Sequence, residues 1–430
     1  MRPKSSRKNS ELLPPLIHRI TVLGGSSVYV PELVNAIIAR NLPVEEIVLF
    51  GHPGRKLETV ANFCRRLINR AGYPTVIIPE TDIRRAVEGA KYIINQMRVG
   101  GMKARFRDES TPPQFDLLGS EQVGAGAVTN ALRSLPVVLE YARVIEELAP
   151  NAIFVNMMSP VGVVVEALTR LTSLKVVGVC DLARKYCSRI ALLLGIPPAE
   201  LEVDYFGLYH FGWIQDVRHD GRSRMAQLLD AIEQSEDSSF DRDLVSLFRL
   251  IPTPEAAAYF RRGEILWSQK RNQRYRSEML IEAESQILRI YEDSRVDMIP
   301  EATRQRNAIW YEESVLPLLE SFEGHHDARP ILCVSNKGAI LDLPEESCVE
   351  IPVTISQGAV TSRKIGALPR FLRGLFCLMK ESDRLVIEAV RHASFELALQ
   401  ALAVNPFVDS LASARKYLEK VVRTENLNLG

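Results

Sequence analysis

The chain has 430 residues, 46% of them hydrophobic and 25% charged, with 53 basic residues against 53 acidic ones. That length suggests two domains or one large composite, with core enough to fold without disulfides. The zero net charge gives no broad case for nucleic-acid binding, and no run of about 18 apolar residues offers a membrane span.

Residues 1–18 are basic and polar with no apolar core behind the charges, so they read as a disordered leader and not as a signal peptide. A β-branched run over 19–24 then ends in glycine and reads as a buried strand. Gly24, Gly25, Ser26 and Ser27 follow, and a helical pattern runs from Pro31 to Ala39. Strand, glycine turn and helix in that order present backbone N–H groups to a pyrophosphate, which makes these four residues candidate dinucleotide contacts. The next strand, 45–50, leads into LFGHPGR and a helix from Arg55 to Ala71. A NAD enzyme usually places an acid at this strand end for the ribose hydroxyls. Gly51 and His52 stand there instead, and Arg55 nearby suits the 2′-phosphate of NADP. Further strands are expected at 75–78, 92–95, 152–156 and 175–179, with helical stretches between several of them. That alternation predicts an α/β fold with a doubly wound parallel, Rossmann-like sheet over 19–195.

Beyond about residue 195 the character changes. Residues 222–320 are charged and helical in pattern, 330–334 and 348–353 read as strands, and 364–423 reads as helical. A second, α+β domain is therefore expected over 196–430. The six cysteines, Cys64, Cys180, Cys187, Cys333, Cys348 and Cys377, form no CxxC pair. This favours a reducing cytoplasm over a disulfide framework.

Seven segments, in order, resemble glycoside hydrolase family 4. They are GGSSVYVPEL (24–33), RVGGMKARFRDE (98–109), GSEQVGAGAVTNALRSLP (119–136), NMMSPVG (156–162), VCD (179–181), YFGLYHFGW (205–213) and SNKGAI (335–340). The resemblance implies a lactate/malate-dehydrogenase-like architecture, a small-molecule glycoside as substrate and a homodimer or homotetramer formed through the second domain. It also implies an unusual hydrolysis, in which most glycosidases' pair of carboxylates is replaced. Bound NAD oxidises the sugar C3 hydroxyl, a base removes the acidified C2 proton, the aglycone is eliminated, water adds and the ketone is reduced again. A divalent metal, typically manganese, polarises the C2 and C3 oxygens.

The resemblance carries residue roles with it. Cys180 and His210 fall at the two protein metal ligands, a donor set that suits a transition metal. Their structural readings are a buried small hydrophobe and a lone core imidazole. Asp181 falls at the acid that protonates the leaving group and resembles the α-glucoside branch; alternatively it caps the following helix. Arg98 and Arg274 fall at contacts to substrate phosphate, and Glu121, Asn156 and Ser159 at the sugar site. Each of the charged ones alternatively forms a structural ion pair. Glu255, in IPTPEAAAYF, takes the place of the family's tyrosine base, with Tyr259 on a later aromatic position. Ser159 and Tyr209 each stand where the family has asparagine, and CDLAR lacks the family's proline.

These changes gather around the sugar site, which leaves three readings. One is a glucosidase with altered specificity, another a catalytically degenerate sugar- or nucleotide-binding protein, and the third a dehydrogenase that oxidises a sugar without cleaving it.

Overall fold

The computed structural model describes residues 16–271, 274–306 and 310–430. Of the leader expected over 1–18, residues 1–15 lie outside the described residues. Six strands, β1 (Ile17–Leu23), β2 (Val44–Phe50), β3 (Val76–Glu80), β4 (Tyr92–Asn95), β5 (Ile153–Asn156) and β6 (Lys175–Gly178), pair in parallel. Their order is β3-β2-β1-β4-β5-β6, so the winding reverses between β1 and β4. The first half of the chain supplies the helices α1 (Val30–Ala39), α2 (Arg55–Ala71), α3 (Ile83–Val87), α4 (Gly101–Ser110), α5 (Gly124–Leu148), α6 (Val161–Leu171) and α7 (Asp181–Leu194).

Side chains of these strands alternate between two apolar layers. Ile20, Val22, Ile47, Leu49, Tyr92, Ile94 and Val155 join one core, whereas Val48, Phe50, Ile93 and Phe154 join the other. Both faces being covered is what makes the strands continuous β-branched runs in the sequence.

The sheet does not stop at β6. The remaining strands are β7 (Glu202–Leu208), β8 (Phe211–His219), β9 (Arg222–Ser223), β10 (Ile251–Pro252), β11 (Ile331–Ser335), β12 (Cys348–Ser356) and β13 (Ala359–Ser362). An antiparallel path β6-β11-β12-β7-β8-β10 continues the same sheet, with Cys333 paired to Gly178 at the junction. The helical stretch expected over 364–423 is three helices, Arg370–His392, Phe395–Val404 and Leu411–Glu425, and it starts only after Pro369. Among the described residues no helix is long and apolar enough to cross a membrane.

Candidate functional site

Parallel strands present all their C-terminal ends along one edge, and the reversal of winding opens a crevice there. The ends of β1, β4, β5 and β6 therefore bring the turn Gly24–Ser27, Arg98, the stretch Asn156–Ser159 and Cys180 to the same edge. At the first of these ends, Gly24 N and Gly25 N both donate to Phe50 O, at 3.0 and 2.7 Å. This folds the turn tightly onto β2. Gly24 has φ +90°, and a Cβ on Gly25 would stand 2.6 Å from the Leu49 backbone. Only glycine suits either position. With no side chain at Gly24 or Gly25, the turn offers only backbone ahead of α1, a shape that fits the close approach of a dinucleotide. At the end of β2, Gly51 lies beside Ser26. Arg55 is exposed and paired with Glu292 at 3.0 Å.

The metal candidates come from opposite halves of the chain. Cys180 is buried at the start of α7. His210 sits in the two-residue turn between β7 and β8 with φ +59°. The turn is fixed by Thr253, whose Oγ1 donates to His210 O at 2.6 Å and accepts from Gly212 N at 3.0 Å. The Cys180 and His210 side chains lie within electrostatic reach of each other. Burial pushes the Cys180 thiol up to about 11 against the opposing pull of His210, so a cation binding there displaces a proton from sulfur. Burial also disfavours the His210 imidazolium, but the attraction of Glu255, with Tyr209 and Cys180, holds it well above the ordinary histidine range.

Glu255 lies in the first turn of the helix Pro254–Phe260, with Oε1 2.9 Å from His210 Nδ1. The two atoms are at ion-pair distance without hydrogen-bond alignment. Nδ1 and the second Glu255 oxygen are both buried without a hydrogen-bond partner. Among the described residues no three His, Cys, Asp or Glu side chains form a metal-holding group. Thiol and imidazole together would suit a transition metal, with its other positions open to ligand oxygens.

Next to this pair lies an arginine–glutamate cluster. Glu121 accepts from Arg98 through both guanidinium nitrogens and lies 2.8 Å from Arg105 Nη1. Arg105 also donates to Glu109 at 2.8 Å. Burial alone would raise the Glu121 carboxyl, but Arg98 and Arg105 outweigh it and hold Glu121 at about 2. Ser159 Oγ donates to Glu121 O at 3.2 Å, and the Tyr209 ring lies edge-on to His210 at 4.3 Å. Asn156 is buried, accepting from Asn95 at 2.8 Å and donating to Met158 O at 3.1 Å. Asp181 follows Cys180 and pairs with Lys185 at 2.5 Å.

Two expected residues stand apart from this assembly. Tyr259 packs its ring against Phe407 and under the Arg262 guanidinium, 4.3 Å from Cζ. Arg274 pairs with Glu282 at the surface, ahead of the helix Arg276–Glu292. Three residues escaped the sequence reading. Arg105 anchors Glu121. Behind the site, Tyr205 donates to Glu350, a buried acid raised to about 7 by burial and in electrostatic reach of His210, Glu255 and Asp181. The available signal was a lone acid inside the apolar run CVEIPV.

Comparison with known proteins places this geometry in context. The model described as "Family 4 glycosyl hydrolase" matches residues 19–196, and its C-terminal domain matches 205–408. The chain is 30% identical to a 6-phospho-beta-glucosidase of Escherichia coli (strain K12), over 91% of this chain and 92% of that one. The structure of the 6-phospho-beta glucosidase from Thermotoga maritima with manganese, NAD+ and glucose-6-phosphate superposes with a TM-score of 0.88. It is 27% identical and covers 96% of this chain and 100% of its own. A malate dehydrogenase of Cryptosporidium parvum, 13% identical, shares the fold with a TM-score of 0.52 over 87% of this chain and 99% of its own.

Proposed function

The chain belongs to the family 4 glycosyl hydrolases, and from that membership we propose that it cleaves a 6-phosphorylated glucoside by oxidation and elimination. The observation that carries this reading is the convergence of Cys180, His210 and Glu255 at the sheet edge that also bears the glycine turn. When bound, NAD supplies a reversible hydride acceptor at the sugar C3, and a divalent ion, manganese in the Thermotoga maritima structure, a Lewis acid for the C2 and C3 oxygens.

The chain's own residues do the rest. Cys180 and His210 hold the cation. Glu255, whose Oε2 is buried and unpartnered, takes the C2 proton, a task open to a carboxylate. Asp181 delivers a proton to the leaving oxygen. Arg98, held by Glu121, with Asn156 and Ser159, orients the sugar. Tyr259 braces the helix that carries Glu255. Gly24, Gly25, Ser26 and Ser27 cradle the dinucleotide. NAD is favoured over NADP because Glu292 already engages Arg55.

The free cysteines fit a reducing cytoplasm. Phe260 and Phe371, both exposed and both packed on Phe248, offer an aromatic second-domain face for a homodimer or homotetramer.

The similar β-glucosidases and the α-type Asp181 point to opposite anomers, so both belong in the assay. We expect release of nitrophenol from p-nitrophenyl α- or β-glucoside 6-phosphate with NAD and manganese and no net NADH. Glu255→Gln should slow it roughly a hundred- to ten-thousandfold with NAD affinity unchanged. No turnover on either anomer overturns this reading in favour of a binding protein; accumulating NADH means a dehydrogenase.

A further inference from the structure

A guanidinium lies against Tyr29, two residues past the glycine turn, without an ion pair among the described residues. Arg306 Cζ stands 4.3 Å from the ring centroid of Tyr29, the residue that opens α1, and 3.9 Å from that of Trp310. The same segment reaches the crevice by a second route. Tyr311 donates its hydroxyl to Gln96 Oε1, and Gln96 Nε2 donates to Gly24 O at 3.2 Å. Arg306 is thereby fixed beside the ends of β1 and β4, the two strands that flank the reversal of winding.

Among the described residues Arg306 makes no ion pair. Burial, and after it the like charges of Arg98 and Arg105, push its pKa down. Glu32 is in electrostatic reach, but burial raises its carboxyl to about 7, so it compensates weakly. Glu109 and Glu121 are engaged by Arg98 and Arg105, and Arg306 pairs with neither of them. A partly desolvated guanidinium without a counter-charge is costly, and a planar fork between two rings is pre-set for phosphate oxygens.

We infer that Arg306 binds a phosphoryl group in the crevice between the glycine turn and Arg98. This rests on the dinucleotide-dependent glucosidase reading. That reading supplies two sources of the same chemistry: the pyrophosphate of the dinucleotide and the 6-phosphate of the sugar.

The test is calorimetric titration of the full chain and its Arg306→Gln and Arg306→Lys variants. The ligands are NAD and, with NAD and manganese present, glucose 6-phosphate and glucose. Arg306→Gln should weaken one phosphorylated ligand roughly ten- to a hundredfold and leave glucose within twofold, and Arg306→Lys should restore part of the loss. Weaker NAD assigns the group to the cofactor; weaker glucose 6-phosphate assigns it to the sugar. If Arg306→Gln melts below the assay temperature, Arg306→Lys decides alone, because it keeps the charge and loses the fork. The inference is overturned if the folded variants bind both ligands within twofold of the wild type. A wild type that binds neither ligand overturns the glucosidase reading instead. The inference is then judged on inorganic pyrophosphate, where equal binding by wild type and variants overturns it and the same loss supports it.

Discussion

Glu121 decides more than its own charge, because two guanidiniums depend on it. Its carboxyl is held at about 2, below the ordinary glutamate value near 4.3. A depressed folded-state pKa gives stability that is fully present above the unfolded value and is lost as pH falls through the folded one. The window is therefore about pH 4.5 down to 2, and the amount about 3 kcal/mol. Glu121→Gln should remove that dependence, and it should destabilise the protein at neutral pH by about 3 kcal/mol or more, since Arg98 and Arg105 lose their shared partner. Urea midpoints from pH 6 to 3 check this: the wild-type curve falls steeply at the acid end and the variant's stays flatter. At this scale the sequence was readable where a residue type is tied to a task. Cys180 and His210, thirty positions apart, did meet. The linkage of Arg98 through Glu121 to Arg105 was hidden, because the sequence of the helix Gly101–Ser110 does not say which of its arginines turns inward. Glu350 was hidden too, as its partner Tyr205 lies on a strand far off in sequence.

The metal-ligand turn is held by an element outside it. His210 has a left-handed backbone, uncommon for a side chain of its size, and Thr253 at the start of the helix Pro254–Phe260 ties both sides of the turn. Thr253→Val keeps the shape and removes the hydroxyl, leaving His210 O and Gly212 N short of a partner. That costs about 1–3 kcal/mol and frees the imidazole to drift from Cys180. Manganese affinity should fall roughly tenfold while NAD affinity stays within twofold; an unchanged manganese titration would show that β7 and β8 alone fix the turn. Elements were legible where one face is wet or where a short β-branched run stands alone, as in β1. The amphipathic helix was expected from about Arg55 to Ala71, where it stands. β7 and β8 were not read as strands, because Tyr205, Phe206, Leu208, Phe211, Trp213 and Ile214 are all buried and no alternation survives. Residues 364–369 were read as helix, but Gly366 at φ +86° and Pro369 delay the first turn to Arg370.

A boundary near residue 195 separates two sequence patterns, yet the physical cores cross it. β11 adds to β6 as the next strand of one sheet. The layer over α5 and α6 combines Leu135, Val138, Val164 and Leu168 with Val386, Leu402, Tyr417 and Leu418 from the end of the chain. Ion pairs repeat the pattern: Arg107 and Arg133 both bind Glu425, and buried Lys380 binds Glu166. Periodicity along a chain reports which face of an element is apolar and not which distant element covers it, so this interleaving could not be read beforehand. Its consequence is cooperative folding. Residues 19–195 expressed alone would expose the α5–α6 face, losing its apolar contact with the terminal helices and the Lys380–Glu166 pair. The full chain should melt in one calorimetric transition with matching van't Hoff and calorimetric enthalpies. The 19–195 fragment should show broad, non-cooperative melting and bind NAD at least tenfold more weakly. A fragment with a sharp transition and native NAD affinity would mean that the glycine turn and its sheet form an independent unit, and that the terminal helices only decorate it.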